Sequence, residues 1–182
     1  MKSLLLAIML ISGFMMANAQ SPTFEKGDKV INLGIGFGGY GTWGYHVAVP
    51  PVSISAEMGI LDNILDKGSI GVGGYLGYAS YKETGYYADE YWTFNRLFIG
   101  ARGVFHYPFI DKFDTYAGLT IGFNSYSWKW HGTGSQGVYP GSSGLGSSVF
   151  VGGRYYLSDK FALMGELGYG ISYVNIGIAL KL

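Results

Sequence analysis

Along most of the chain, apolar and polar positions alternate one by one, the period of a strand whose side chains point to opposite faces. In "VSISAEMGI", Val52, Ile54, Ala56, Met58 and Ile60 share one face, and Ser53, Ser55, Glu57 and Gly59 share the other. "RLFIGARGVFHY" sets Leu97, Ile99, Ala101, Phe105 and Tyr107 against Arg96 and Arg102, and "SVFVGGRYYL" sets Val149, Val151 and Tyr155 against Arg154. "ALMGELGY" opposes Leu163 and Leu167 to Glu166. The final run, "SYVNIGIALKL", opposes Val174, Ile176, Ile178, Leu180 and Leu182 to Tyr173, Asn175, Gly177, Ala179 and Lys181. With "VINLGIGFG", "SIGVGGYLGYASY" and "TYAGLTIGFNSYSW", the pattern predicts eight strands, over 28–40, 50–60, 69–82, 92–107, 114–128, 146–157, 160–168 and 172–182.

The composition says which face points outward. Charged residues are only 13% of the chain, aromatic residues are 17%, and there are 31 glycines. That is too little charge to coat an ordinary soluble surface. The first face is a band of Val, Ile, Leu and Phe suited to lipid. The second carries mostly glycine, alanine, serine and tyrosine with isolated arginines and glutamates, which suits a crowded lumen. Alternating segments of about ten residues separated by turns mark a transmembrane β-barrel. Closure also satisfies every backbone group, as lipid requires. The expected fold is therefore all-β, an antiparallel up-and-down barrel of eight strands.

The scarce charge recurs at equivalent places. Asp28-Lys29, Asp66-Lys67, Asp111-Lys112 and Asp159-Lys160 each stand just before an odd-numbered strand, separated by 38, 45 and 48 residues (66−28, 111−66, 159−111). Each interval is one up-and-down hairpin, and the pairs mark short turns at one water boundary. The opposite connections, "GTWGYHVAVP", "KETGYYADEYW" and "KWHGTGSQGVYPGSSGLGS", are longer, and the fourth, near Tyr169-Gly170, is very short. All four tryptophans, Trp43, Trp92, Trp128 and Trp130, fall at these ends. They are expected to lie at the membrane interface, where an indole is half apolar and half wet.

Lys2, the apolar stretch Leu4 to Met16 and the small residues of Ala17-Asn18-Ala19 read as a secretory signal over residues 1–19. The barrel domain is then 20–182, starting at Gln20. The absence of cysteine removes thiolate metal sites, disulfides and cysteine catalysis together. A formal net charge of zero argues against a nucleic-acid partner.

The ending "GELGYGISYVNIGIALKL" fits the terminal pattern of outer-membrane barrels, with Asn175, Gly177, Leu180 and Leu182 at its defining positions and Leu182 where phenylalanine is usual. With the signal and the eight strands, the whole chain resembles the small OmpA/OmpX-type barrels of Gram-negative bacteria, also labelled porin-family proteins. That resemblance implies recognition by the barrel-assembly machinery and contact with outer-membrane lipid and lipopolysaccharide. It also implies a monomer, and location in the outer membrane. It implies no particular activity, because the family is functionally diverse.

Candidate chemistry is sparse. Gly34, Gly36 and Gly39 satisfy G-x-G-x-x-G, but no helix follows, so no dinucleotide and no other cofactor is expected. Glu57, Arg96, Arg102, Arg154, Glu166 and Lys181 should all face a narrow lumen, where unpaired charge is costly. They are read as a structural ion-pair network. His46, His106 and His131 show no metal-ligand spacing. The expected role is structural or surface-interacting, with any binding carried by the long loops. One alternative is a narrow pore gated by the lumen charges, four cations against two anions. The other is a lipid-modifying enzyme using His131 with Ser125 or Ser127; no enzyme is the preferred reading.

Overall fold

The computed structural model describes residues 23–39, 46–84, 90–132 and 137–182. The signal segment 1–19 and Trp43 lie outside the described residues. Strands β1 (Lys29–Phe37), β2 (His46–Ile64), β3 (Gly68–Thr84), β4 (Tyr91–Ile110) and β5 (Phe113–His131) follow one another. Then come a short β6 (Val138–Pro140), β7 (Gly144–Tyr156), β8 (Phe161–Tyr169) and β9 (Val174–Lys181).

Each strand pairs antiparallel with its sequence neighbour, except around β6, where β5 pairs with both β6 and β7. β1 pairs with β9, as in Leu33↔Ile178, and so closes the ring. β6 prolongs the β7 wall, since Ser127 pairs with Pro140 and Asn124 with Gly144. The wall breaks at 141–143, where the Gly141 amide donates to the Tyr126 carbonyl and Ser143 Oγ accepts from the Tyr126 amide. The result is a closed antiparallel ring of eight walls.

Alternation sets inside and outside on every wall. Phe98 is 1% exposed while its neighbour Ile99 is 55% exposed. Leu33, Ile35, Ile54, Leu76, Ile121, Val149, Leu163, Leu167 and Ile176 also point outward as a continuous apolar band. That is the inverse of a soluble protein and the pattern of a lipid-facing surface. The lumen is filled with side chains, as an eight-stranded ring requires. Inward glycines let adjacent walls come close: a Cβ on Gly73 would lie 1.9 Å from the Ala56 carbonyl oxygen, and one on Gly177 would lie 1.9 Å from that of Leu33.

The Asp-Lys pairs do lie at one end, in or beside tight turns. Asp66 has φ +76° and Lys112 has φ +63°, the left-handed conformation that polar turn residues tolerate better than β-branched ones. At the opposite, loop end the walls differ in height. β1, β8 and β9 stop at the rim, near the Val52↔Tyr78 rung. β2 to β5 continue, through Ala79↔Arg96 up to Thr84↔Tyr91 and Tyr91↔His131. At this end β2, β3 and β5 run two to four residues farther than alternation alone predicts, because ladder pairing carries them past the ring into a projecting sheet, whereas β1 and β9 are shorter than predicted.

Candidate functional site: the lumen charges and the projecting sheet

The lumen side chains lie in layers. Nearest the turn end, Arg154 from β7 is fully buried and reaches three partners. Its Nη2 donates to Glu57 Oε1, its Nη1 to Asp114 Oδ2 at 3.0 Å, and its Nε to Asn32 Oδ1 at 3.1 Å. His106 completes the cluster, with Nδ1 3.0 Å from both Asp114 oxygens and Nε2 3.7 Å from Glu57. Asn32 donates to Ser55 Oγ at 2.9 Å.

Above it, Arg102 from β4 pairs with Glu166 from β8, and Tyr116 donates to the same Glu166 oxygen at 2.9 Å. The Arg102 guanidinium lies 3.8 Å from the centre of the Phe150 ring. Ser55 connects the two layers, because Arg102 Nη1 is 3.5 Å from its oxygen. In this low-dielectric space each charge has an opposite charge or several dipoles, which is what allows burial at all. Between this layer and the β8–β9 turn lies a cavity of about 30 Å³, lined among others by Tyr75, Arg102, Glu166, Ile171 and Asn175. That is room for about one water molecule.

Arg96 sits at the rim, donating to the Gly170 carbonyl at 3.0 Å and to Asn124 Oδ1 at 3.3 Å. Lys181 is at the other end, 2.6 Å from Asp28 and partly exposed. The six charges named from the sequence therefore occupy separate levels. Glu57–Arg154 and Arg102–Glu166 are buried pairs, and Arg96 and Lys181 guard opposite mouths. Asp114 and His106 were missed. Alternation carried the signal, since Asp114 shares the face of Tyr116 and Thr120, and His106 shares that of Arg102. Proximity to a turn disguised them as surface residues.

The turn-end mouth is closed by residues ahead of β1. Phe24 is 2% exposed and its carbonyl accepts from Ser69 Oγ at 2.8 Å. The Gly27 amide donates to the Gly59 carbonyl, and the Gly59 amide to that of Asp28. The Thr23 carbonyl accepts from Lys181 Nζ at 3.3 Å.

The described tryptophans, Trp92, Trp128 and Trp130, turn to the inner face of the projecting sheet and not to its outer side. Trp92 pairs with Trp130 and Phe94 with Trp128, in step with Arg96↔Tyr126, so all share the inward face. Above the rim this face forms an aromatic stack: Trp92–Trp130 at 5.0 Å, Trp92–Tyr139 at 5.6 Å, Phe94–Trp128 at 4.6 Å and Phe94–Tyr126 at 5.7 Å. The reason is geometric: with no wall opposite among the described residues, large rings cover the inner side of the sheet themselves. Outward aromatics at the band edges are instead Tyr107, Phe109 and Tyr155 at the turn end, and Tyr78, Tyr169 and exposed Tyr173 at the loop end.

Ser125, Ser127 and His131 lie along one strand, and four residues of strand separate Ser127 from His131 by about 13 Å. Ser127 is 3.5 Å from Asn95 Nδ2, and His131 stacks on Tyr91 at 4.5 Å. The nucleophile–base pair of the lipid-modifying alternative is therefore not assembled by these residues. Among the described residues no group of His, Asp and Glu has metal-binding geometry.

In the terminal pattern, Asn175 Nδ2 donates to Ser53 Oγ at 3.0 Å and Gly177 abuts β1. Leu180 and Leu182 face outward, and the Leu182 amide donates to the Lys29 carbonyl. These residues complete the closing wall.

No family model and no curated protein matches the chain. Among solved structures, it is similar to Ail, the attachment invasion locus protein of Yersinia pestis. The structure of Ail in complex with the heparin analogue sucrose octasulfate aligns at 13% identity and TM-score 0.48, over 86% of this chain and 96% of that one. A second Ail crystal structure aligns at 14% identity and TM-score 0.42, over 86% and 95%.

Proposed function

We propose that this chain is an outer-membrane barrel, exported behind residues 1–19, that acts in surface interaction through its projecting sheet. The observation that carries the reading is the contrast between the two ends of the ring. Glu57–Arg154 and Arg102–Glu166 are buried pairs inside the ring, whereas β2 to β5 extend past the rim with a broad face of their own. A chain selected only to span lipid has no use for the extra rungs, and a sheet held by continuous ladders is a rigid platform for contact. The barrel-assembly machinery, reading the terminal pattern, and outer-membrane lipid are its expected partners, and no catalytic role is assigned.

Fractionation of expressing cells tests the location: the chain should be recovered in the outer-membrane fraction, begin at Gln20, and migrate faster on a gel when unheated. Recovery as a soluble periplasmic protein would overturn the reading. Planar bilayers test the lumen, where conductance should stay at background; stepwise openings would favour the gated pore instead.

A further inference from the structure

The projecting sheet has a second face, turned away from the aromatic stack, on which polar and then basic side chains of β3 to β5 succeed the apolar band with height. Nearest the apolar band is the rung Tyr78–Leu97–Ser125. Next is Val49–Ser80–Asn95–Ser127–Pro140, in which Asn95 Oδ1 accepts from Ser80 Oγ at 2.9 Å and from Tyr78 OH at 3.0 Å. Then comes His46–Lys82–Thr93–Lys129–Val138, and above it Tyr91–His131. None of these outward positions is acidic; Glu83 stands opposite Trp92 on the other face.

We infer that this basic rung, Lys82 and Lys129 with His46 beside them, docks the phosphate groups of outer-leaflet lipid headgroups against the outer side of the sheet. Lys82 and Lys129 flank Thr93 on neighbouring strands, and adjacent strands are about 4.8 Å apart, so their Cα atoms stand about 10 Å from each other. Both lysines and His46 are exposed. Lys82 is held over the Tyr91 ring, 4.8 Å from its centre, and Tyr91 in turn stacks on His131. Four residues along tilted β4 separate Leu97 from Thr93, which places the rung about 10 Å above the last apolar one. The polar headgroup region lies just beyond the hydrocarbon edge and is several ångströms deep, and basic residues beside a membrane surface are attracted to anionic headgroups. The hydroxyl and amide rung between is suited to the hydrated ester and sugar region. Continuity with the lipid-facing band and charge complementarity select lipid rather than a soluble partner for this face.

This inference rests on the outer-membrane reading, and the test separates the two. The protein, refolded in zwitterionic dodecylphosphocholine micelles, is titrated with bis-phosphorylated lipid A and followed by native mass spectrometry. K82A/K129A should weaken binding about tenfold or more, and so should dephosphorylation of the lipid. K67A/K160A, at the turn end, should leave binding unchanged. Equal binding by wild type and K82A/K129A would overturn the inference, as would displacement by millimolar inorganic phosphate, which would mark a free-anion site. Heat-shifted migration is scored on every sample: its loss in the wild type would count against the barrel itself, whereas its retention with unchanged lipid binding defeats only the basic rung.

Discussion

The ring of Phe24, ahead of the first strand, lies stacked on the imidazole of His106 in β4, with centroids 4.1 Å apart and planes 25° apart. This contact joins the covering segment to the buried charges, because the same imidazole holds Asp114, the partner of Arg154. Removing a buried phenylalanine ring typically costs about 3–5 kcal/mol. Phe24→Ala should therefore lower barrel stability in guanidinium titrations in micelles by an amount in that range. A change under about 0.5 kcal/mol would mean that the segment is only resting on the mouth.

Glu166→Gln leaves Arg102 without its anion in the upper layer and weakens the bond from Tyr116. Breaking one partner of a buried pair typically costs about 3–5 kcal/mol. The unfolding midpoint should fall while conductance stays at background. The double variant Arg102→Met/Glu166→Gln should recover part of the loss, since no lone charge remains; a strictly additive cycle would count against the pair.

Neighbouring glycines in β3 separate inside from outside. A Cβ at Gly73 would meet the Ala56 carbonyl, whereas one at Gly74 has open space. Gly73→Ala should prevent or strongly weaken folding, and Gly74→Ala should be near neutral by gel-shift assay. The same logic applies at Gly100, which also faces the lumen. A Cβ there would lie 2.6 Å from the Ile121 carbonyl oxygen, so Gly100→Ser should be destabilising. Ile99→Arg, on the lipid face beside it, should cost roughly 2–4 kcal/mol near the bilayer midplane.

Phe94 touches Tyr81, Tyr126 and Trp128, and so lies at the centre of the inner face of the projecting sheet. Phe94→Ala should loosen that sheet locally. Hydrogen exchange should speed up over 91–97 and 125–131 while amides of β8 and β9 remain protected. Uniform acceleration around the whole ring would show that the sheet and the barrel unfold as one unit.

How much of this was legible beforehand follows from what period-two alternation encodes. It places each residue on one face of its own strand, so the eight walls, the outward band from Leu33 to Ile176 and the inward setting of Glu57, Arg102, Arg154 and Glu166 could be read directly. The four Asp-Lys pairs marked the turn end because left-handed turn residues and water boundaries are local properties. Alternation says nothing of height or of which wall stands opposite. The partnership of Arg154 with Asp114 and Asn32 depends on ring closure and stagger, which join residues 40 and 122 positions apart. The tryptophans illustrate the same limit. Their place at strand ends was evident, but what stands opposite their inward face depends on how far neighbouring walls continue. Only the tertiary structure decides that, because ladder hydrogen bonds form between strands and their extent is fixed by the partner as much as by the strand itself.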